Sequence, residues 1–226
     1  MRSRSPHSWR DLSTEARIRE AAIARFGRDG FDASLRTIAH DAGVSAASVV
    51  KIFGSKDALR TQCDEHVFAI IREGKRSVIA APSGAPGAFI AQLARMEEYR
   101  PLIAYVLRTI QAGGPTARSF IDHMVEDALQ YMADAVAQGL VVPSLDEESR
   151  IRFLIGATLG NLLLALSTEP DPGAIESAEF WDRALAALTL PALELYTDGL
   201  LTSREMLEAY LLYVPDPPVD AADLTV

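Results

Sequence analysis

The stretch 44–59, VSAASVVKIFGSKDAL, decides how the rest of the chain is read. Ser45 stands directly before one short apolar run and Ser55 before the next. Each is placed where a hydroxyl accepts a hydrogen bond from a free backbone N–H at a helix start. The piece between them, 46–53, is a helix of two turns, too short to be stable alone. Its outward side carries Ala46, Ala47, Val50 and Lys51, while Val49 and Phe53 point inward. Upstream, Ser34 precedes Leu35, Ile38, Ala39 and Ala42 at i, i+3, i+4 and i+7 spacing, and Gly43 follows where a left-handed residue ends a helix. Two short helices joined by a three-residue turn, Gly43-Val44-Ser45, form a helix-turn-helix unit.

The inward residues of both helices, with Ile18, Ala22 and Phe26 of a helix capped by Ser13, can make one small core. The outer face of 46–53 is then free to enter a major groove. Small and apolar side chains at Ala46, Ala47 and Val50 allow close approach to base edges and thymine methyls, and Lys51 can reach a guanine edge or a phosphate. Thr37, Ser45 and Ser48 supply hydroxyls for phosphate oxygens, and the helix N-termini at Ser34 and Ser55 offer backbone N–H groups. A plain helical corner with solvated polar residues has the same spacing, so spacing alone leaves both readings open.

Charge separates the chain into two parts. Residues 1–63 hold 11 Lys+Arg against 7 Asp+Glu, a balance of +4, while the remaining 163 hold 11 against 24, a balance of −13, giving the net −9. The basic part is the candidate for phosphate contact. Hydrophobic residues make up 49% of the 226, enough for a substantial core. The single cysteine, Cys63, excludes an intramolecular disulfide and fits a reducing cytoplasm, the expected location. No apolar stretch follows the N-terminal arginines as a signal peptide requires. The most apolar run, 153–167, is shorter than the ~20 residues that span a bilayer, so no membrane association is expected.

Helical spacing recurs throughout, and the expected class is all-α. A long helix from Ser55 runs to about Ile79, the Pro/Gly-rich segment 81–87 breaks the chain, and further helices are expected near 87–98, 101–112, 116–139, 146–167, 177–199 and 203–213. Pro191 is expected to kink or break the helix that contains it. The division reads as a disordered arm (1–11), a DNA-binding domain (12–66), an effector-binding and dimerisation domain (67–214) and a disordered acidic tail (215–226).

Residues 12–66 resemble the DNA-binding domain of the TetR (tetracycline-repressor) family of bacterial transcription regulators. The resemblance rests on AAIARFGRDGFDASLRTIAHDAGVS, followed at the family's distance by IFGSKDAL. It covers about a quarter of the chain; the rest agrees in length and helical character with the family's divergent effector domain. The resemblance implies a homodimer, a double-stranded DNA operator, and a small-molecule effector bound between the middle helices of the larger domain. It also implies that Lys56 meets the DNA backbone. Many members carry a tyrosine at the position of Val50 that touches a phosphate; Val50 cannot donate that bond.

For the effector, Phe89, Met96, Tyr99, Tyr105, Arg108, Phe120, His123, Met124 and Asn161 form a set able to line a largely apolar pocket with a few polar groups, although the same spacing describes ordinary core. For the dimer interface, 150–167 is apolar on more sides than one core needs, with Gly156, Leu159, Gly160 and Leu163, and 180–199 adds Trp181, Leu188 and Leu195. No catalytic motif and no cofactor or metal site is expected: Cys63 and His66 make at most half a metal site, and His123, Glu126 and Asp127 read as a salt-bridging helix surface. The function expected is a DNA-binding regulator, a repressor released by its effector. The alternative is a helical small-molecule-binding or scaffold protein of the same fold without DNA binding.

Overall fold

The computed structural model describes residues 13–80, 87, 90, 91, 93, 95–171 and 173–214. The expected arm and tail, and Phe89, lie outside the described residues, and of Met96 only the backbone is described. The described residues form helices α1 (Thr14–Asp29), α2 (Leu35–Asp41), α3 (Ala46–Phe53), α4 (Lys56–Ile79), α5 (Met96–Ala112), α6 (Gly114–Ala137), α7 (Glu147–Thr168), α8 (Ala178–Asp198) and α9 (Glu205–Tyr213), with a 3-10 turn at Ala174–Glu176. No strand occurs among them. The chain is all-α.

The serine caps act as their positions require. Ser13, Ser34, Ser45 and Ser55 each accept the backbone N–H three residues on, at 3.0 to 3.1 Å. Gly43 and Gly54 adopt positive φ of 65° and 81°, so the chain reverses twice within a dozen residues without strain. Pro101 does not open its helix, and Pro191 does not break the helix that contains it. α5 starts five residues before Pro101, and α8 runs through Pro191 to Asp198. Each proline removes one helical hydrogen bond, to the carbonyl of Glu97 or Ala187. Both prolines and both carbonyl-bearing residues are exposed, so water can take the place of the missing donor.

Chain contacts divide the molecule into one unit up to Asp127 and a second from Ala128. The division falls far beyond residue 66 because α5 packs on α1 more extensively than α1 packs on any other helix. In the first unit Ile18, Ala22, Phe26, Ile38, Ala42, Val49, Leu59, Cys63, Val67 and Tyr105 are fully buried. At Gly27 α1 and α5 lie close together: a Cβ there would stand 3.0 Å from the Tyr105 backbone nitrogen and 3.1 Å from the Ala104 Cβ, so a larger residue would require α5 to give by a few tenths of an ångström. In the second unit α7 packs on α8, and Ile151, Leu162, Phe180 and Trp181 are buried.

Candidate nucleic-acid interface

The core of α1–α4 leaves the outer face of α3 uncovered. Val49 is fully buried, whereas Val50 and Ile52 are 47% and 41% exposed, and Ala47 and Lys51 are exposed beside them. A two-turn helix holding two aliphatic residues in water gains nothing for the fold; the arrangement suits a surface that is covered when a groove is entered. Ala46 and Ser48 are half-buried at its edge.

The hydroxyls at the two helix starts are paired. Ser34 Oγ lies 2.8 Å from Thr37 Oγ1, and Ser45 Oγ lies 2.8 Å from Ser48 Oγ. Each pair shares one hydrogen internally, and each capping serine also accepts a backbone N–H. One hydroxyl hydrogen per pair is thus left to donate outward, as a phosphate oxygen requires.

The cations sort into two groups. Arg25 bridges Asp41 and Asp29, Arg19 lies 3.9 Å from Glu15, and Arg28 bonds Asp29. Lys51, Lys56 and Arg36 have no ion-pair partner among the described residues. Lys51 is exposed at the last turn of α3, Lys56 opens α4, and Arg36 is exposed in the first turn of α2, one residue from Thr37. Arg36 was not singled out from sequence. Its signal was its place two residues after the Ser34 cap, on the same helix start as Thr37.

Residues 18–63 match the family model of bacterial regulatory proteins of the tetR family, and residues 97–202 match that of the tetracyclin repressor-like C-terminal domain. A Mycobacterium tuberculosis protein, the HTH-type transcriptional regulatory protein RaaS, is 45% identical over 201 residues, which are 89% of this chain and 93% of RaaS. The chain belongs to the TetR family. Among solved structures, a regulator from Clostridium perfringens superimposes with TM-score 0.55 at 17% identity, over 83% of this chain and all of that one. The TetR family regulator PfmR from Thermus thermophilus gives 0.52 at 22%, over 85% of this chain and all of its own. At these identities the two structures speak to the fold. As a TetR family member the protein is a DNA-binding transcriptional regulator, and α2–α3 is its helix-turn-helix.

The residues expected to line an effector pocket do not stay together. Tyr105 is fully buried among α1, α4 and α5: its hydroxyl donates to Asp64 Oδ1 at 2.6 Å, and its ring meets Phe31 edge-on at 5.6 Å. Burial and the neighbouring Asp64 carboxylate push the Tyr105 phenol up. Burial also pushes the Asp64 carboxyl up, against the opposing effect of the Tyr105 hydrogen bond and the Arg60 guanidinium. Arg108 donates from Nε to the Gly27 carbonyl and from Nη2 to the Arg28 carbonyl, both at 3.2 Å. These carbonyls belong to the last turn of α1, where no helical N–H remains to reach them. Arg108 therefore caps α1 from α5, and both residues are corrected from pocket lining to helix junction.

Phe120 packs on Phe68 with ring centroids 4.5 Å apart, and His123 stacks on the same ring at 4.1 Å. His123 Nε2 also lies 4.0 Å from Asp127, which accepts Arg72 at 2.7 Å. Met124 and Tyr99 are half-buried. Asn161 is exposed in the second unit, donating to the carbonyl of Ala157 at 2.7 Å, so its amide is spent on its own helix. An open groove of about 440 Å³ bordered by Glu15, Ile52, Phe53, Ala58, Thr61 and Gln62 includes none of the effector candidates. Cys63 is buried, its thiol pushed up by desolvation, and His66 bonds Glu20 at 3.0 Å.

The interface candidates also separate. Gly156 and Gly160 are exposed, with nothing within 4 Å of a Cβ at either position, and Phe153 and Leu164 lie exposed on the same face of α7. Leu159, Leu163 and Leu188 are half-buried, and Leu195 is exposed. Trp181 is the correction. It is fully buried in its own subunit and its indole N–H donates to Ile175 at 2.8 Å, which leaves nothing for a partner. Among the described residues α7 is also the one helix long and apolar enough to cross a membrane, because the apolar run 153–167 lies within a 22-residue helix. Its first two turns carry Glu147, Glu148, Arg150 and Arg152.

Proposed function

We propose that the protein acts as a homodimeric repressor, released from its operator by a small, largely apolar effector. The observation that carries the reading is the α5 junction. Tyr105 and Arg108 fasten one face of α5 to α4 and to the end of α1. A displacement of α5 therefore cannot leave the helices behind α3 in place. An effector that binds better to the displaced arrangement shifts the population toward it, and two recognition helices spaced for successive major grooves, ~34 Å apart, then lose their match.

In this reading Ala46, Ala47, Val50 and Lys51 face base edges, while Arg36, Thr37, Ser45, Ser48, Lys56 and the helix start at Ser34 hold phosphates. Val50 replaces a phosphate hydrogen bond with apolar contact, which favours a thymine methyl in the site. The effector candidates are Tyr99, Phe120, His123 and Met124, where an aromatic cluster meets the Arg72–Asp127–His123 polar group. The dimer face is the exposed stripe of α7, Phe153, Gly156, Gly160 and Leu164, together with Leu190 and Leu193 of α8. The two glycines let a partner helix approach closely.

Fluorescence anisotropy on an operator duplex, with candidate apolar compounds titrated in, tests the release. The expected result is a compound that lowers operator affinity at least fivefold and does so less in a His123→Ala variant. Binding of such a compound with operator affinity unchanged would contradict the mechanism.

A further inference from the structure

Helix α9 has no buried residue in its own subunit. A nine-residue helix is marginal by itself in water, and of this one only Leu211 is even half-buried within the subunit. At ~100° per residue, Met206, Leu207, Tyr210, Leu211 and Tyr213 fall on one face about 160° wide, with Glu205, Glu208 and the exposed Leu212 on the other. Tyr210 and Tyr213 are 61% and 84% exposed. The connector before the helix continues the pattern, with Leu200 and Leu201 both exposed.

We infer that α9 docks on a second copy of this chain and enlarges the dimer face formed by α7 and α8. The inference rests on the homodimer reading above and extends it to a helix outside the two-helix face. Area is the first argument. The large exposed side chains of α7 and α8 offer on the order of 600 Å² of apolar surface per subunit, about 1,200 Å² in total, short of the roughly 2,000 Å² at which obligate homodimer interfaces begin. The α9 face and its connector roughly double that. Continuity is the second. Exposed apolar side chains recur along the chain from Leu190, Leu193 and Tyr196 through Leu200 and Leu201 into α9, with only short polar stretches between them.

Chemistry is the third argument. Tyrosine and methionine are enriched at protein interfaces, and a two-fold axis presents the same patch from both copies. A membrane surface fits poorly. The polar face of α9 is acidic, whereas helices that lie on anionic lipid carry Lys and Arg there.

The test uses the full-length protein and the double variant Met206→Glu/Tyr210→Glu, compared by sedimentation equilibrium, circular dichroism and flotation with phosphatidylcholine/phosphatidylglycerol vesicles. We expect the dimer dissociation constant to rise at least 100-fold. Helix content should fall by no more than the nine residues of α9, because neither side chain is buried in its own subunit. An unchanged dissociation constant in a wild type that dimerises would overturn the role of α9 and leave the α7–α8 interface standing. A wild type monomeric at all concentrations would overturn the homodimer reading and this inference with it. Two further results would overturn it: a variant that unfolds even when monomeric, placing α9 on its own subunit, or vesicle binding abolished by the variant with dimerisation intact, assigning the face to lipid.

Discussion

Replacing Arg108 by methionine tests the junction between α5 and α1. Methionine keeps an unbranched stem against the α1–α5 contact and removes only the guanidinium. The lost interactions are the two hydrogen bonds to the Gly27 and Arg28 carbonyls, an exposed hydrogen bond to Gln111 that water replaces at little cost, and the charge facing the negative end of α1. Hydrogen bonds to a charged donor contribute ~1.5–3 kcal/mol. A cation at a helix C-terminus adds ~0.3–1 kcal/mol. Water reaches part of the site, so about 2 kcal/mol is expected in total. For a chain of this size that lowers Tm by about 4–8 °C. Arg108→Lys can reach one carbonyl and should recover roughly half. The assay is thermal denaturation at one fixed protein concentration, since the proposed dimerisation would make Tm concentration-dependent. A methionine variant melting with the wild type would refute the argument that Arg108 caps α1.

Other positions give sharper single outcomes. Lys51→Ala should relax preference at one base pair per half-site, by ~1–3 kcal/mol there, while Lys56→Ala should weaken all duplexes alike with a shallower salt dependence; the reverse pattern would exchange the two roles. Gly160→Leu fills the open stripe on α7 and should give monomer in sedimentation with specific DNA binding lost; an unperturbed dimer would place the interface elsewhere. Asp64 carries a pH signature. Its folded-state pKa is raised above the ordinary 3.8, so the protonated form favours the fold, and its contribution is lost as pH rises from the ordinary carboxylate value through the raised one. Asp64→Asn keeps an acceptor for Tyr105 and should melt relatively higher, compared with wild type, at pH 7 than at pH 4. Identical pH profiles would remove the account of Asp64.

The DNA-reading half was legible in sequence because its signals are local. A serine before each short helix and a glycine after it specify caps and turns within four residues, and Ser13, Ser34, Ser45 and Ser55 all cap as read. Arg108 and Tyr105 were misread for the opposite reason. Their partners lie about 40 to 80 residues away, and a polar group in an apolar helix looks the same whether it faces a cavity or a distant carbonyl. Trp181 shows the same ambiguity: an apolar helical face does not say which subunit covers it. Pro101 does not open its helix and Pro191 does not break its own, since an exposed helix tolerates one missing N–H when water reaches the carbonyl.

The central claim is that α3 reads a sequence as one of a pair. Selection of bound duplexes from a random pool, carried out at low and at physiological salt, tests it directly. The account predicts enrichment of a two-fold symmetric site whose half-sites lie one helical turn, ~10 base pairs, or a multiple of it apart, with binding that weakens steeply as salt rises. A pool that emerges with no enriched sequence at low salt would contradict it.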